Sequence, residues 1–143
     1  MPLDQVCKDP ANPAGRERQR QAFEHLMAAF EASADQPPRE RWLYLEAAHV
    51  IGQNRLALHW RAHRRMLAFA RQLRDEHEVQ GQWRQLGYAV LGHVVRRIPQ
   101  GNTGRAIVPA FRTMVPSAAV RQRISAAMAA VNPDTPSASA ALE

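Results

Sequence analysis

The stretch from Glu46 to His63 constrains the fold of this chain more than any other. It reads EAAHVIGQNRLALHWRAH, with a Glu-x-x-His pair before a short polar break and a His-x-x-x-His pair after it. Spacings of three and four residues place side chains on the same side of a helix. If the break at residues 52–54 is the turn of an antiparallel helical hairpin, Glu46 and His49 on one helix face His59 and His63 on the next. The stretch therefore predicts two helices and a cluster of four potential ligands near their bend.

Apolar residues recur at helical spacing on both sides of this hairpin. We expect a first helix from Arg16 to about Ala34, hairpin helices from the prolines at 37 and 38 to about Ile51 and from Arg55 to about Asp75, and a fourth helix from Val79 to about Ile98. The stripe expected to face inward on the fourth helix is Val79, Trp83, Leu86, Val90 and Val94. Glycines at 81, 87 and 92 interrupt this helix and indicate either close approach of a neighbour or a loosely held segment.

A proline-bounded segment follows the fourth helix. Its first part, PQGNTGR, predicts a turn, because the lysine with serine or threonine of a phosphate-binding loop does not follow it. Residues 106–116 predict an extended strap whose apolar side chains are available to lie over the bundle: Ile107, Val108, Phe111, Met114 and Val115. Ser117 is a suitable N-cap for a short last helix that ends near Val131. The predicted fold is all-α: a bundle of about four main helices with an extended C-terminal strap and a short last helix.

The domain organisation predicted from these patterns has three parts. Residues 1–15 form a mobile arm, residues 16–131 a single helical domain and residues 132–143 a disordered tail whose Leu142-Glu143 is a candidate cloning remnant. Cys7 is the single cysteine, so it cannot form an internal disulfide, and the N-terminus lacks the apolar run of a secretory signal. The longest apolar run, Leu86 to Val95, falls short of the roughly 20 residues that span a bilayer. We therefore expect a cytoplasmic protein with no membrane span.

Positive charge dominates the composition, with 19 Lys and Arg against 13 Asp and Glu. The third helix concentrates arginines on the side opposite its apolar stripe: Arg61, Arg64, Arg65 and Arg71. An acidic partner is compatible with this face, but nucleic acid is disfavoured because neither interleaved aromatics nor a recognition motif accompanies it. The partner is unknown from the sequence, and another protein or a second copy of the chain are the candidates.

The chemistry that best fits the hairpin is a metal site built from Glu46, His49, His59 and His63. Imidazole and carboxylate on facing helices suit one transition-metal ion, either zinc, iron, nickel or copper. Di-iron bundles use two Glu-x-x-His motifs, and this chain has one, so a mononuclear site is more consistent. The alternative is a helical protein-interaction module in which the same residues form a hydrogen-bonded knot that fixes the hairpin. No arrangement typical of an activated serine or cysteine is present, which favours a binding protein, for example a metal-stress accessory protein, over an enzyme.

Four motifs in order resemble the bacterial domain of unknown function 3703 family: EAAHVIGQ, HWRAHRRML, RDEHEVQGQ and RRIPQGNTGRAIVPAFRTMVP. The likeness covers roughly Phe23 to Pro116. It implies a small bacterial helical protein with no established activity, in a family associated with gene neighbourhoods for heavy-metal resistance.

The resemblance carries over to particular positions. They are His49 with Gly52 and Gln53, then His59 and His63, and finally the segment 101–104. The chain departs from the expected pattern in the strap, where Ile107 and Pro109 stand in place of a polar pair. The departure argues against a polar role for the strap itself.

Overall fold

The computed structural model describes residues 12–131, which form five α-helices and no β-strand. In chain order they are α1 (Pro13–Ala32), α2 (Pro38–Gly52), α3 (Leu56–Gln72), α4 (Glu76–Val94) and α5 (Ala118–Ala130). The predicted all-α fold, with four main helices and a short last one, is confirmed. Cys7 and the tail from residue 132 onward lie outside the described residues, so the predictions for both termini remain predictions.

Side-chain caps explain where several helices begin. The Asn12 side chain accepts hydrogen bonds from the amides of Ala14 and Gly15, so α1 starts at Pro13 and not at Arg16 as expected. Asp75 caps α4 in the same way through the amide of Glu78. Ser117 caps α5, as its sequence position predicts. Each of these helices thus begins after a polar residue whose side chain accepts a hydrogen bond from a backbone amide two or three residues later.

The helices pack as a bundle in which α1 contacts α2 and α5, α2 also contacts α3 and α5, and α3 pairs with α4. Apolar side chains fill two clusters between them. The first lies among α1, α2, α3 and α5 and contains Ala22, Phe23, Leu26, Ala47, Ala48, Val50, Ile51, Leu58, Ala62, Val120, Ile124 and Ala127. The second consists of Phe30, Trp42, Leu45, Met66, Phe69 and Ala70. None of the helices within residues 12–131 combines the length and apolarity needed to cross a membrane.

The inward face of α4 differs from the predicted apolar stripe. Trp83 is 56% exposed and Val94 74% exposed, so the predicted stripe was wrong for most of its members. The buried positions are instead polar or small: Glu78, Gly81, Gln82, Gln85, Leu86, Ala89 and Gly92. The inward face differs from the predicted one because it meets polar groups of α3 and of the following loop.

The segment from Val95 to Ser117 joins α4 to α5 without regular helix or strand. The expectation that apolar strap residues cover the bundle was wrong for Ile107, Phe111 and Val115, which are more than half exposed. The buried residues of the segment are 102–104, Asn-Thr-Gly, and Pro116 just before the last helix. Polar loop atoms therefore enter the interior, and they do so beside the histidines of the hairpin.

A buried histidine triangle as the candidate metal centre

Three histidines meet inside the helical hairpin. His49 comes from α2, and His59 and His63 lie one turn apart on α3, so the turn at residues 53–55 brings the three rings together. Their Nε2 atoms are 2.9 Å (His49–His59), 3.1 Å (His49–His63) and 3.1 Å (His59–His63) apart. All three side chains are buried. We call this arrangement the histidine triangle.

Two rings of the triangle have a defined proton position. His49 Nδ1 lies 2.8 Å from the carbonyl oxygen of Asn102, which can only accept, so His49 donates from Nδ1. His63 Nδ1 lies 2.8 Å from Oε1 of Gln82 and donates to it in the same way. A neutral imidazole carries one proton, so the Nε2 atoms of His49 and His63 present lone pairs to each other.

The third ring has two possible arrangements. His59 Nδ1 lies 3.1 Å from Nε2 of His93, and a proton can sit on either atom. If His59 donates from Nδ1, three Nε2 lone pairs converge on one point, which is favourable with a cation there. If His59 carries its proton on Nε2, that proton can be shared with His49 and His63 and closes the triangle without a metal. His93 of α4 thus contacts the triangle at its outer edge.

Burial keeps these imidazoles neutral. It lowers the pKa of His59 to about 3 and that of His63 to about 4, and the neighbouring rings add to the effect at His59. Burial also lowers the pKa of His49 well below its usual value, with His63 and His59 contributing. Metals bind the neutral imidazole, so the triangle is in its ligand form at neutral pH.

A family model described as a protein of unknown function (DUF3703) matches residues 17–124. The chain belongs to the DUF3703 family. The matched region includes all three residues of the triangle and the loop beside it, as the sequence motifs indicated. Comparisons with curated proteins and with solved structures gave no match. The family description of this DUF3703 protein names no activity.

Glu46, the fourth ligand predicted from the sequence, does not join the triangle. Its carboxylate accepts from Nη1 of Arg105 at 3.2 Å, and Arg105 also pairs with Glu78 through Nε at 3.1 Å. The same guanidinium lies 3.8 Å from the centre of the Trp42 ring. Burial raises the pKa of Glu46, against the opposing effect of Arg105. In the DUF3703 protein Glu46 therefore holds the loop after α4 against α2.

Gln82 is a support of the triangle that the sequence analysis missed. Its Nε2 donates to Oε1 of Glu78 and to the carbonyl of Gly104, both at 2.8 Å, which leaves Oε1 facing His63. Glu78 in turn accepts from the amide of Ala106 at 3.1 Å. The sequence signal for this support was the pair Glu78 and Gln82, which are four residues apart. They lie on a face of α4 outside the apolar stripe.

Asn102 is the second missed support. Its carbonyl holds His49, while its side chain accepts from the amide of Gly104 and donates to the carbonyls of Pro109 and Arg112, each at 2.9 Å. The loop therefore folds around Asn102 and presents one carbonyl to the triangle. The Gly-Asn-Thr-Gly motif indicated this loop. Its interpretation as a simple turn did not predict that Asn102 would hold His49.

Gly104 fits closely against the triangle. Its φ of +77° lies in the left-handed region, and a Cβ atom there would stand 2.6 Å from Cδ2 of His49. A side chain is excluded on both counts. The glycine lets the backbone pass directly over the His49 ring.

Proposed function

We propose that this DUF3703 protein binds one divalent transition-metal ion through the Nε2 atoms of His49, His59 and His63 and serves as an accessory protein in metal handling or metal stress. The observation that carries the proposal is the convergence of three Nε2 atoms while every Nδ1 atom is hydrogen-bonded on the outside. Metal-bound histidines usually have such outer partners, which fix the ring and its tautomer.

The dimensions of the triangle suit a first-row ion. With sides close to 3 Å, an ion about 1 Å above its centre would lie roughly 2.0 Å from all three nitrogens, a typical zinc–imidazole distance. Imidazole ligands favour zinc, copper, nickel or iron, whereas magnesium and calcium prefer oxygen. Three protein ligands also leave at least one coordination position free.

The alternative is a closed, metal-free triangle that only fixes the hairpin of a helical interaction module. The contact between His59 and His93 supports it, because His93 can donate to His59 Nδ1 and leave the His59 proton on Nε2. Buried polar groups would then be satisfied by one shared proton. The two hypotheses differ in whether the triangle holds an ion or a proton.

Titration of untagged protein with Zn²⁺, Ni²⁺ and Cu²⁺ separates them, together with metal analysis of the protein as isolated. We expect one ion per chain and a loss of affinity beyond about 100-fold in a His59→Ala/His63→Ala double variant, since removing ligands costs more than removing their outer partners. A His25→Ala/His77→Ala variant is the matched control, because both histidines are exposed and lie outside the triangle. Equal, weak binding by both variants and the native chain would contradict the proposal.

A further inference from the structure

The charge of the proposed site is unbalanced. Three neutral imidazoles leave a divalent ion with its full charge, and among residues 12–131 no carboxylate joins the triangle. The half-buried Glu46 and the buried Glu78 both pair with Arg105. Holding a net charge in a buried position is costly unless an opposite charge is nearby. A further negative ligand would remove much of that cost.

A small cavity lies beside the triangle where such a ligand could enter. His49 and His59 line it, and its volume of about 20 Å³ is enough for roughly one water-sized group. Its apolar walls include Ala89, Ile98 and Phe111. The polar groups around it are the side chains of Gln53, Gln85, Tyr88, Arg97 and Asn102, and none of them is acidic.

A wider groove lies next to the cavity. Both spaces are lined by Arg97, Ile98, Pro99 and Phe111, and the groove has a volume of about 600 Å³. Arg97 is exposed in this groove and carries the one formal charge among the residues that line it. Its positive charge attracts anions and repels a second cation.

We propose that the free coordination position of the ion faces this cavity and binds a small anion, either hydroxide or an exogenous inorganic anion whose coordinating atom fills the cavity. The inference rests on the proposed metal site and adds the class of its ligand. The uncompensated charge calls for an anion, the volume limits its size, and the lining lacks any acidic group that would repel it.

Co²⁺-loaded protein provides the test, because the visible bands of cobalt change when its ligands change. We expect saturable changes on adding azide at fixed pH if the position is open to exogenous anions. A change between pH 6 and 9 without added anion would assign hydroxide. Bands that respond to neither would overturn the inference and leave the metal site standing. Absence of cobalt binding would overturn the proposed function instead.

Two alanine-to-valine variants locate the anion. Ala89→Val adds two methyl groups at the cavity wall, and we expect it to keep cobalt binding but to weaken azide binding at least about tenfold by crowding the space. Ala68→Val is the matched control, since Ala68 is an exposed position of α3. Equal azide affinity in the Ala89→Val variant and the native chain would show that the anion does not use this cavity.

Discussion

One part of the interior is packed with apolar side chains and another with polar ones. The apolar clusters among α1, α2, α3 and α5 consist of aliphatic and aromatic side chains that pack without needing a specific partner. The part between α2, α3, α4 and the loop after α4 is filled by imidazole, amide, carboxylate and guanidinium groups. Groups of this kind are stable in an interior when neighbouring groups form hydrogen bonds or ion pairs with them.

The difference separates stability from function. Apolar packing holds the helices together regardless of pH or metal over ordinary conditions. The polar part depends on protonation and, under the proposed function, on a bound ion. Changes in the apolar part should therefore alter the free energy of unfolding without altering metal affinity, and changes in the polar part should alter both.

Lowering the pH should cause the largest loss of unfolding free energy, and this loss should come from the polar part of the interior. The pKa values of His59 and His63 are about 3 and about 4 in the folded protein, below the usual value of 6.5. As the pH falls below 6.5 the unfolded chain takes up protons that the folded chain refuses. Stability present above pH 6.5 is lost progressively towards pH 4, by up to about 1.4 kcal/mol per pH unit for each histidine.

Urea unfolding of metal-free protein at pH 7.5, 6 and 5 measures this loss. The raised pKa of Glu46 acts in the opposite direction, but through a single group. The His25→Ala/His77→Ala variant is the control, because both histidines are exposed and lie outside the triangle. A free energy of unfolding that stays constant between pH 7.5 and 5 would mean that the buried rings are not held neutral by the fold.

A Phe69→Ala variant tests the apolar side of the comparison. Phe69 is fully buried, with its ring centre 5.0 Å from that of Phe30 and 4.9 Å from that of Trp42. Its removal should cost about 3–5 kcal/mol of unfolding free energy. Zinc affinity of the folded variant should stay within about twofold of the native value, as for independent sites. A large fall in affinity would show that the two parts are coupled through α3.

Glycine-to-alanine substitutions compare the loop beside the triangle with the exposed face of α4. Gly104→Ala places a Cβ against His49 at a positive φ, so we expect a loss of roughly 2–4 kcal/mol and weaker zinc binding. Gly87→Ala is the control: a Cβ there meets nothing within 4 Å, and it should leave stability unchanged or raise it by up to about 1 kcal/mol. Thermal unfolding with and without zinc reads both effects. Similar behaviour of the two variants would contradict the close fit over His49.

The sequence was most informative where periodicity and ligand spacing coincided. Helices on both sides of the break at residues 52–54, and the partners His49, His59 and His63, follow from spacings of three and four. The short last helix followed from the cap at Ser117. These features are local, so a local pattern could predict them.

What the sequence could not supply were contacts between distant segments. Glu46 looked like a ligand because it lies one turn before His49, but Arg105, 59 residues away, binds it. The inner face of α4 was predicted from apolar periodicity, yet the face that packs carries Glu78 and Gln82, because the surface opposite is itself polar. Patterning rules assume an apolar interior, and they fail where the interior is a polar network.

A Gln82→Met variant tests how far that network controls metal binding, and it should be the least destabilising of the three destabilising substitutions, after Phe69→Ala and Gly104→Ala. Methionine has a similar length and can fill the space, but it cannot accept strongly from His63 or donate to Glu78 and Gly104. We expect a loss of about 1–3 kcal/mol, since buried groups lose their partners. Zinc affinity should fall by about 10–100-fold, the range seen when an outer partner of a ligating histidine is removed.

The contrast with Phe69→Ala gives this last variant its meaning. Phe69→Ala should cost more stability and little affinity, whereas Gln82→Met should cost less stability and much more affinity. Zinc titration and urea unfolding on the same samples place both variants on these two axes. The ratio of lost zinc affinity to lost unfolding free energy could turn out the same for Gln82→Met as for Phe69→Ala. Gln82 would then be only a packing residue, and the polar part would stabilise the fold without controlling metal binding.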